Sequence, residues 1–188
     1  RRSSDLFHMD EYIGVLPDAP QSFGNFLRIR IFDKVPFKNV YYLNGHATDL
    51  EEECTRYTSL LSQFPTDIVC LGIGENGHIA FNDPDVANFN DHKLVKIVKL
   101  DHVCRQQQVN EKCFETLEQV PTEALTLTIP ALLKAKWMFC IVPFKNKAQA
   151  VYRTIHGDIS EKCPASILRR KEKSSLYLDT ESAQLLNL

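Results

Sequence analysis

A four-residue apolar run, Ile68 to Leu71, breaks abruptly into Gly72, Gly74 and Gly77, three of the chain's seven glycines within six residues. The run has the length and β-branched content of a buried strand. Glycine is needed where backbone turns sharply or lies close to a ligand. A strand that ends this way and is followed by Glu75, Asn76, His78, Asn82 and Asp83 therefore marks a site.

Other short apolar runs alternate with segments of helical spacing. Leu6 to Met9 reads as a strand tail that ends in two carboxylates, Asp10 and Glu11. Ser22 can cap a helix over about 22–33 that turns Phe23, Phe26, Leu27 and Ile31 to one face. Val40 to Leu43 is the next strand. The Thr48–Glu51 pair forms a capping-box pattern for a helix that buries Leu50, Cys54, Tyr57 and Leu61. After the glycine loop, Leu94 to Leu100 is β-like and 101–114 has helical composition. Strands follow at 124–129 and 137–142, with Pro130 in the first turn of a short helix between them. An amphipathic helix spans Lys145 to His156 with Ala148, Val151, Tyr152 and Ile155 inward and Gly157 as its stop. A short helical piece near 165–169, a strand at 175–178 and a last helical turn complete the chain. This alternation predicts one α/β domain over residues 1–188 with a mostly parallel sheet.

A net charge of −2, from 22 basic and 24 acidic residues mixed along the chain, points away from a nucleic-acid or membrane surface. No apolar run approaches the ~18 residues of a membrane span. The six cysteines show neither a C-x-x-C pair nor zinc-finger spacing, and Cys70 and Cys140 lie in apolar runs as small hydrophobes. A reducing, cytoplasmic setting is the economical expectation.

Gly72, Gly74 and Gly77 also match the dinucleotide fingerprint G-x-G-x-x-G. That motif must open a helix, whereas Asn82-Asp83-Pro84 arrives within seven residues of Gly77. No nicotinamide or flavin cofactor is expected. The loop still sits at the carboxyl end of a parallel strand, where open α/β sheets bind ligands. His78 can exchange protons near neutrality, and Asn76 or Asp83 could fix its tautomer. Satisfaction of His78 by loop backbone is the alternative.

Leu71 to Pro84, together with Phe7-His8-Met9-Asp10-Glu11-Tyr12, resembles the glucosamine-6-phosphate deaminase (isomerase) family. Leu43-Asn44-Gly45, Pro121-x-x-Ala124-Leu125-Thr126 and Lys147 fall in the family's order. The resemblance implies a Rossmann-like sheet with helices on both faces. It implies conversion of glucosamine 6-phosphate and water to fructose 6-phosphate and ammonia, with no metal or redox cofactor. The partner would be a small-molecule sugar phosphate, and a homo-oligomer is left open.

By resemblance, His78 opens the sugar ring, supported by Asn76 and by Asp83, which stands where many relatives carry glutamate. Asp10 matches the base that moves a proton between C2 and C1. Local sequence leaves Asp10 open between that role and a turn cap. Glu11, Gly74 and Gly77 would line the substrate, Lys147 matches a phosphate-binding lysine, and Arg105 is a further phosphate candidate. Family members begin with a strand and a Ser-Gly-Gly-Ser-Thr-type phosphate loop that this sequence lacks. Either about 50 residues, the size of a strand–helix–strand unit, are therefore expected before Arg1, or the chain is a divergent remnant with weakened catalysis. The rival functions are a 6-phosphogluconolactonase-like hydrolase and a sugar-phosphate-binding regulatory module.

Overall fold

The computed structural model describes residues 4–187. Two sets of strands run parallel. β1 (Asp5–Phe7) pairs with β3 (Asn39–Tyr41), and β4 (Ile68–Leu71), β7 (Trp137–Val142) and β8 (Ser174–Leu178) form a sheet in the order β4-β7-β8. The α/β class read from the alternation is therefore observed. A third set is antiparallel, β2 (Asp10–Tyr12), β6 (Glu123–Leu127) and β5 (Val95–Lys99) in the order β2-β6-β5. Apolar periodicity marks strands without giving their direction, so the sequence does not reveal this sheet.

Among the described residues there are five α-helices: α1 (Phe23–Leu27), α2 (Leu50–Gln63), α3 (His102–Asn110), α4 (Ile129–Leu133) and α5 (Ala148–His156). Each of the first four has a side-chain cap: Ser22, Asp49, Asp101 and Thr128 each accept from the backbone N–H three residues on. At α2 the cap is Asp49 rather than Thr48, because Asp49 Oδ1 lies 2.9 Å from Glu52 N. The first helical segment is also shorter than its spacing predicts. α1 gives way to a π-helical turn at Arg28–Phe32, which changes the register of the face. Gly24, Asn25 and Phe32 are buried, and Phe26 and Ile31 point to solvent.

Two other expected faces differ. In α5 the buried residues are Ala148, Ala150, Val151 and Thr154, and Tyr152 is exposed. β4 is buried on one face only: Val69 and Leu71 point into the core, Ile68 and Cys70 outward. A short apolar run does not say how many of its faces are covered. Gly157 does stop α5, in extended backbone at φ −76°. Space explains the residue, since a Cβ there would lie 2.6 Å from Arg153 O.

The larger core packs α2 and α5 against the β4-β7-β8 sheet through Tyr57, Leu61, Val69, Leu71, Met138 and Val151. A smaller one lies on the antiparallel sheet, where Tyr12, Phe81, Val98, Cys104 and Phe114 meet. The loop after β4 bridges them, with Ile79 in the first core and Phe81 in the second. Tyr57 ties α2 to the parallel pair, its fully buried hydroxyl 2.6 Å from His8 O and 2.9 Å from Tyr41 O. Tyr57→Phe leaves those carbonyls without that donor and is expected to cost about 1–3 kcal/mol. Urea unfolding reads the loss, and an unchanged midpoint would count against this anchoring.

Candidate active site

Asp83 has no exposed surface, yet three donors converge on its carboxylate. His78 Nδ1 lies 2.9 Å from Oδ1, Asn76 Nδ2 donates to Oδ1 at 2.9 Å, and Asp101 N donates to Oδ2 at 3.1 Å. Burial works against the charge. The hydrogen bonds from His78, Asn76 and the Asp101 backbone outweigh it and hold the pKa below the ordinary carboxylate range.

Asn76 uses its whole amide. Its NH2 donates to Asp83 and, at 2.7 Å, to Asp101 Oδ2, while its oxygen accepts from His78 N at 3.0 Å and lies 2.8 Å from His78 Nδ1. An aspartate at 76 would have brought a third carboxylate against Asp83 and Asp101. The amide supplies two donors there instead. Both oxygens facing His78 Nδ1 are acceptors, which assigns the ring proton to Nδ1 and leaves Nε2 with a lone pair. Among the described residues, Nε2 has no hydrogen-bond partner.

The glycines make this geometry sterically feasible. A Cβ on Gly74 would come within 2.1 Å of the His78 ring, so Gly74 provides the space in which the imidazole sits. Gly77 has φ +92°, in the left-handed region, and a Cβ there would lie 2.7 Å from Cys163 Sγ. Downstream the loop is tied to β6. Phe81 N donates to Thr126 Oγ1, and Asn82 Nδ2 donates to Ile79 O and Leu127 O. No helix follows Gly77 before β5, so the fingerprint spacing lacks the helix that would give it dinucleotide geometry.

Asp10 opens β2, opposite Thr126 of β6. Desolvation, with the charge of Glu11 added, pushes its carboxyl up to about 7. Burial first, then the charges of Asp83, Asp101 and Asp10, push the Cys104 thiol up. Thr126, the partner of Asp10, accepts from Phe81 N of the loop through its Oγ1, which sets β2 one strand away from the His78 loop.

Glu11 and Arg105, both expected at the substrate, make their hydrogen bonds to the chain itself. Glu11 is buried, and its oxygens accept from Tyr12 N, Phe23 N, Gly24 N and Ser22 Oγ at 2.7–3.1 Å. It fixes the entry to α1. Arg105 donates to Leu117 O and Val120 O, bracing the segment after α3. A lone Glu or Arg in sequence gives no sign of the backbone groups that will claim it.

Lys147 is buried at the start of α5, in a 3₁₀ turn that follows Phe144, a residue with φ +80°. Such backbone costs on the order of 1–3 kcal/mol and is concentrated at functional sites. Its ammonium lies 3.3 Å from Glu111 Oε1. Gln107 donates to the same oxygen at 2.8 Å and accepts from Glu75 N at 3.0 Å. Asn146 Nδ2 reaches Glu75 Oε1 at 2.7 Å. This network joins the lysine to the His78 loop.

The family described as glucosamine-6-phosphate isomerases/6-phosphogluconolactonase matches residues 2–177. The chain belongs to this family. A glucosamine-6-phosphate deaminase of Bacillus cereus strain B4264 is 41% identical over 178 residues, 95% of this chain and 66% of that protein. One from Listeria innocua is 40% identical over 179 residues, 95% and 74% of the two chains. The chain thus spans about two thirds of the length of the Bacillus relative. In structure, a monomeric glucosamine-6-phosphate deaminase superposes with TM-score 0.87 at 35% identity, covering 95% of this chain and 73% of that one. The 6-phosphogluconolactonase of Thermotoga maritima shares the fold, with TM-score 0.69 at 22% identity.

Asp101, Gln107 and Glu111 join this site although no motif in the sequence marks them. Asp101 was legible as a helix cap, since it precedes a helical stretch. Its second contact, with Asn76 from 25 residues away, was not.

The raised pKa of Asp10 has a consequence for stability. Below about pH 4 it is protonated both folded and unfolded; as pH rises toward about 7 the unfolded chain loses that proton first, so ionisation disfavours the fold. Asp10→Asn is expected to match the parent near pH 4 and to exceed it above pH 7 by on the order of a few kcal/mol. Chemical denaturation at the two pH values checks this, and equal stability at both would contradict the desolvated carboxyl.

Proposed function

We propose that the chain catalyses isomerisation and deamination of glucosamine 6-phosphate, giving fructose 6-phosphate and ammonia. The observations that carry this reading are a carboxyl raised to about 7 on β2, whose partner Thr126 accepts from Phe81 N of the loop, and on that loop a histidine whose Nδ1 is fixed by Asn76 and Asp83. The names of the Bacillus and Listeria relatives support the same substrate.

The closed sugar must first open. His78 Nε2, holding a lone pair, takes the anomeric hydroxyl proton and returns it to the ring oxygen. Asp83 and Asn76 stabilise the imidazolium formed in between. In the open chain, ionised Asp10 removes the C2 proton and delivers it to C1. A base with a pKa near the working pH suits a carbon acid of this kind, because it is both ionised and basic. Deamination then follows by addition of water at C2 and departure of ammonia. Lys147 and the first N–H groups of α5 would meet the phosphate, which displaces Glu111 from the ammonium.

This assignment predicts that kcat/KM rises with pH through about 7 and that Asp10→Asn loses about 10²–10⁴-fold. Coupled assays of ammonia and fructose 6-phosphate measure both. A purified protein that releases no ammonia, or an Asp10→Asn variant with full activity, would overturn the reading. Hydrolysis of 6-phosphogluconolactone that survives Asp10→Asn would favour the hydrolase instead.

A further inference from the structure

Among the described residues, one group of three metal-ligating side chains occurs, and it includes a residue the reaction does not use. His78, Asp83 and Cys104 place their ligand atoms within 4.8 Å of one another. His78 and Asp83 come from the loop after β4 and Cys104 from the first turn of α3. Asp83 and Cys104 are buried, and the His78 side chain is 12% exposed.

We propose that this triad captures Zn²⁺ and that occupancy withdraws His78 from the reaction. Imidazole, carboxylate and thiolate together are a Zn²⁺ set rather than an oxygen-only set suited to Mg²⁺ or Ca²⁺. Bonds of about 2.0–2.3 Å to a tetrahedral ion place its ligands roughly 3.3–3.8 Å apart. The triad thus contracts at its wider spacings, while His78 Nδ1 and Asp83 Oδ1, now 2.9 Å apart, open slightly to admit the ion. The fourth position falls to water or to Asn76 Oδ1, already 2.8 Å from His78 Nδ1.

The charge balance favours burial. One carboxylate and one thiolate neutralise the dication, so the bound centre brings no net charge into the buried site. On binding, the Cys104 thiol releases its proton to solvent. The His78 proton leaves Nδ1, which binds the ion, and a proton is taken up at Nε2. The ring stays neutral and one proton is released per ion. With Nε2 protonated, His78 no longer accepts the anomeric proton. Metal capture follows from the donor set alone; the inhibition rests on the proposed role of His78.

The test uses Co²⁺ as a spectroscopic probe of the purified protein. The parent and a Cys70→Ser/Cys113→Ser variant, which lacks the exposed thiols, are expected to bind one ion. They should show a sulfur-to-cobalt charge-transfer band that Zn²⁺ abolishes by competition. Cys104→Ser and Cys104→Ala, each checked by thermal melting, are expected to lose the band. Its absence in the parent, or its persistence in a folded Cys104 variant, overturns the site. Ammonia release is read in the same samples: loss in step with the band supports withdrawal of His78, and full activity with the band present overturns it. A protein that shows the band but has no activity before metal is added overturns the catalytic reading while supporting the metal site.

Discussion

Removing a carboxylate wholly from water costs several kcal/mol unless donors replace the water, and this requirement at Asp83 organises the centre of the fold. The donors come from both sides of the chain: His78 and Asn76 from the loop after β4, and the backbone of Asp101 from the start of α3. Asp101 then caps α3 with its other oxygen, 2.6 Å from Cys104 N. One buried charge thus ties a strand end, a glycine loop and a helix N-terminus together. The same arrangement fixes which nitrogen of His78 carries a proton.

Where Asp83 is stabilised as an anion, Asp10 is destabilised as one. Its carboxyl faces desolvation and a neighbouring carboxylate, and Glu11 has given its own oxygens to the backbone of α1. Two acids of the same type are driven in opposite directions, one low and one near neutrality, by whether donors reach them. That divergence is the physical basis for assigning one as an orienting anion and the other as a base.

Much of this was legible in the chain. The strand at 137–142, the helix starts at Ser22 and Pro130 and the glycine loop follow from periodicity and from local backbone chemistry, which depend on neighbours in sequence. The loop's polar residues marked the site for the same reason, and the resemblance supplied Asp10 and Lys147. What could not be read depends on partners far along the chain. Glu11 and Arg105 carry the right charge for substrate but are claimed by backbone groups at 22–24 and 117–120. The outward faces of Cys70 and Tyr152 reflect what packs against β4 and α5, and the antiparallel sheet reflects how β5 and β6 meet.

Two acceptor oxygens, Asn76 Oδ1 and Asp83 Oδ1, hold the His78 proton on Nδ1 and keep Nε2 ready to receive one. Nitrogen-15 NMR of the imidazole, in protein labelled at histidine, reads this directly. The expected spectrum is that of a neutral ring protonated at Nδ1, with that proton shifted downfield and its signal altered in Asp83→Asn. A neutral His78 protonated at Nε2, insensitive to Asp83, would contradict it.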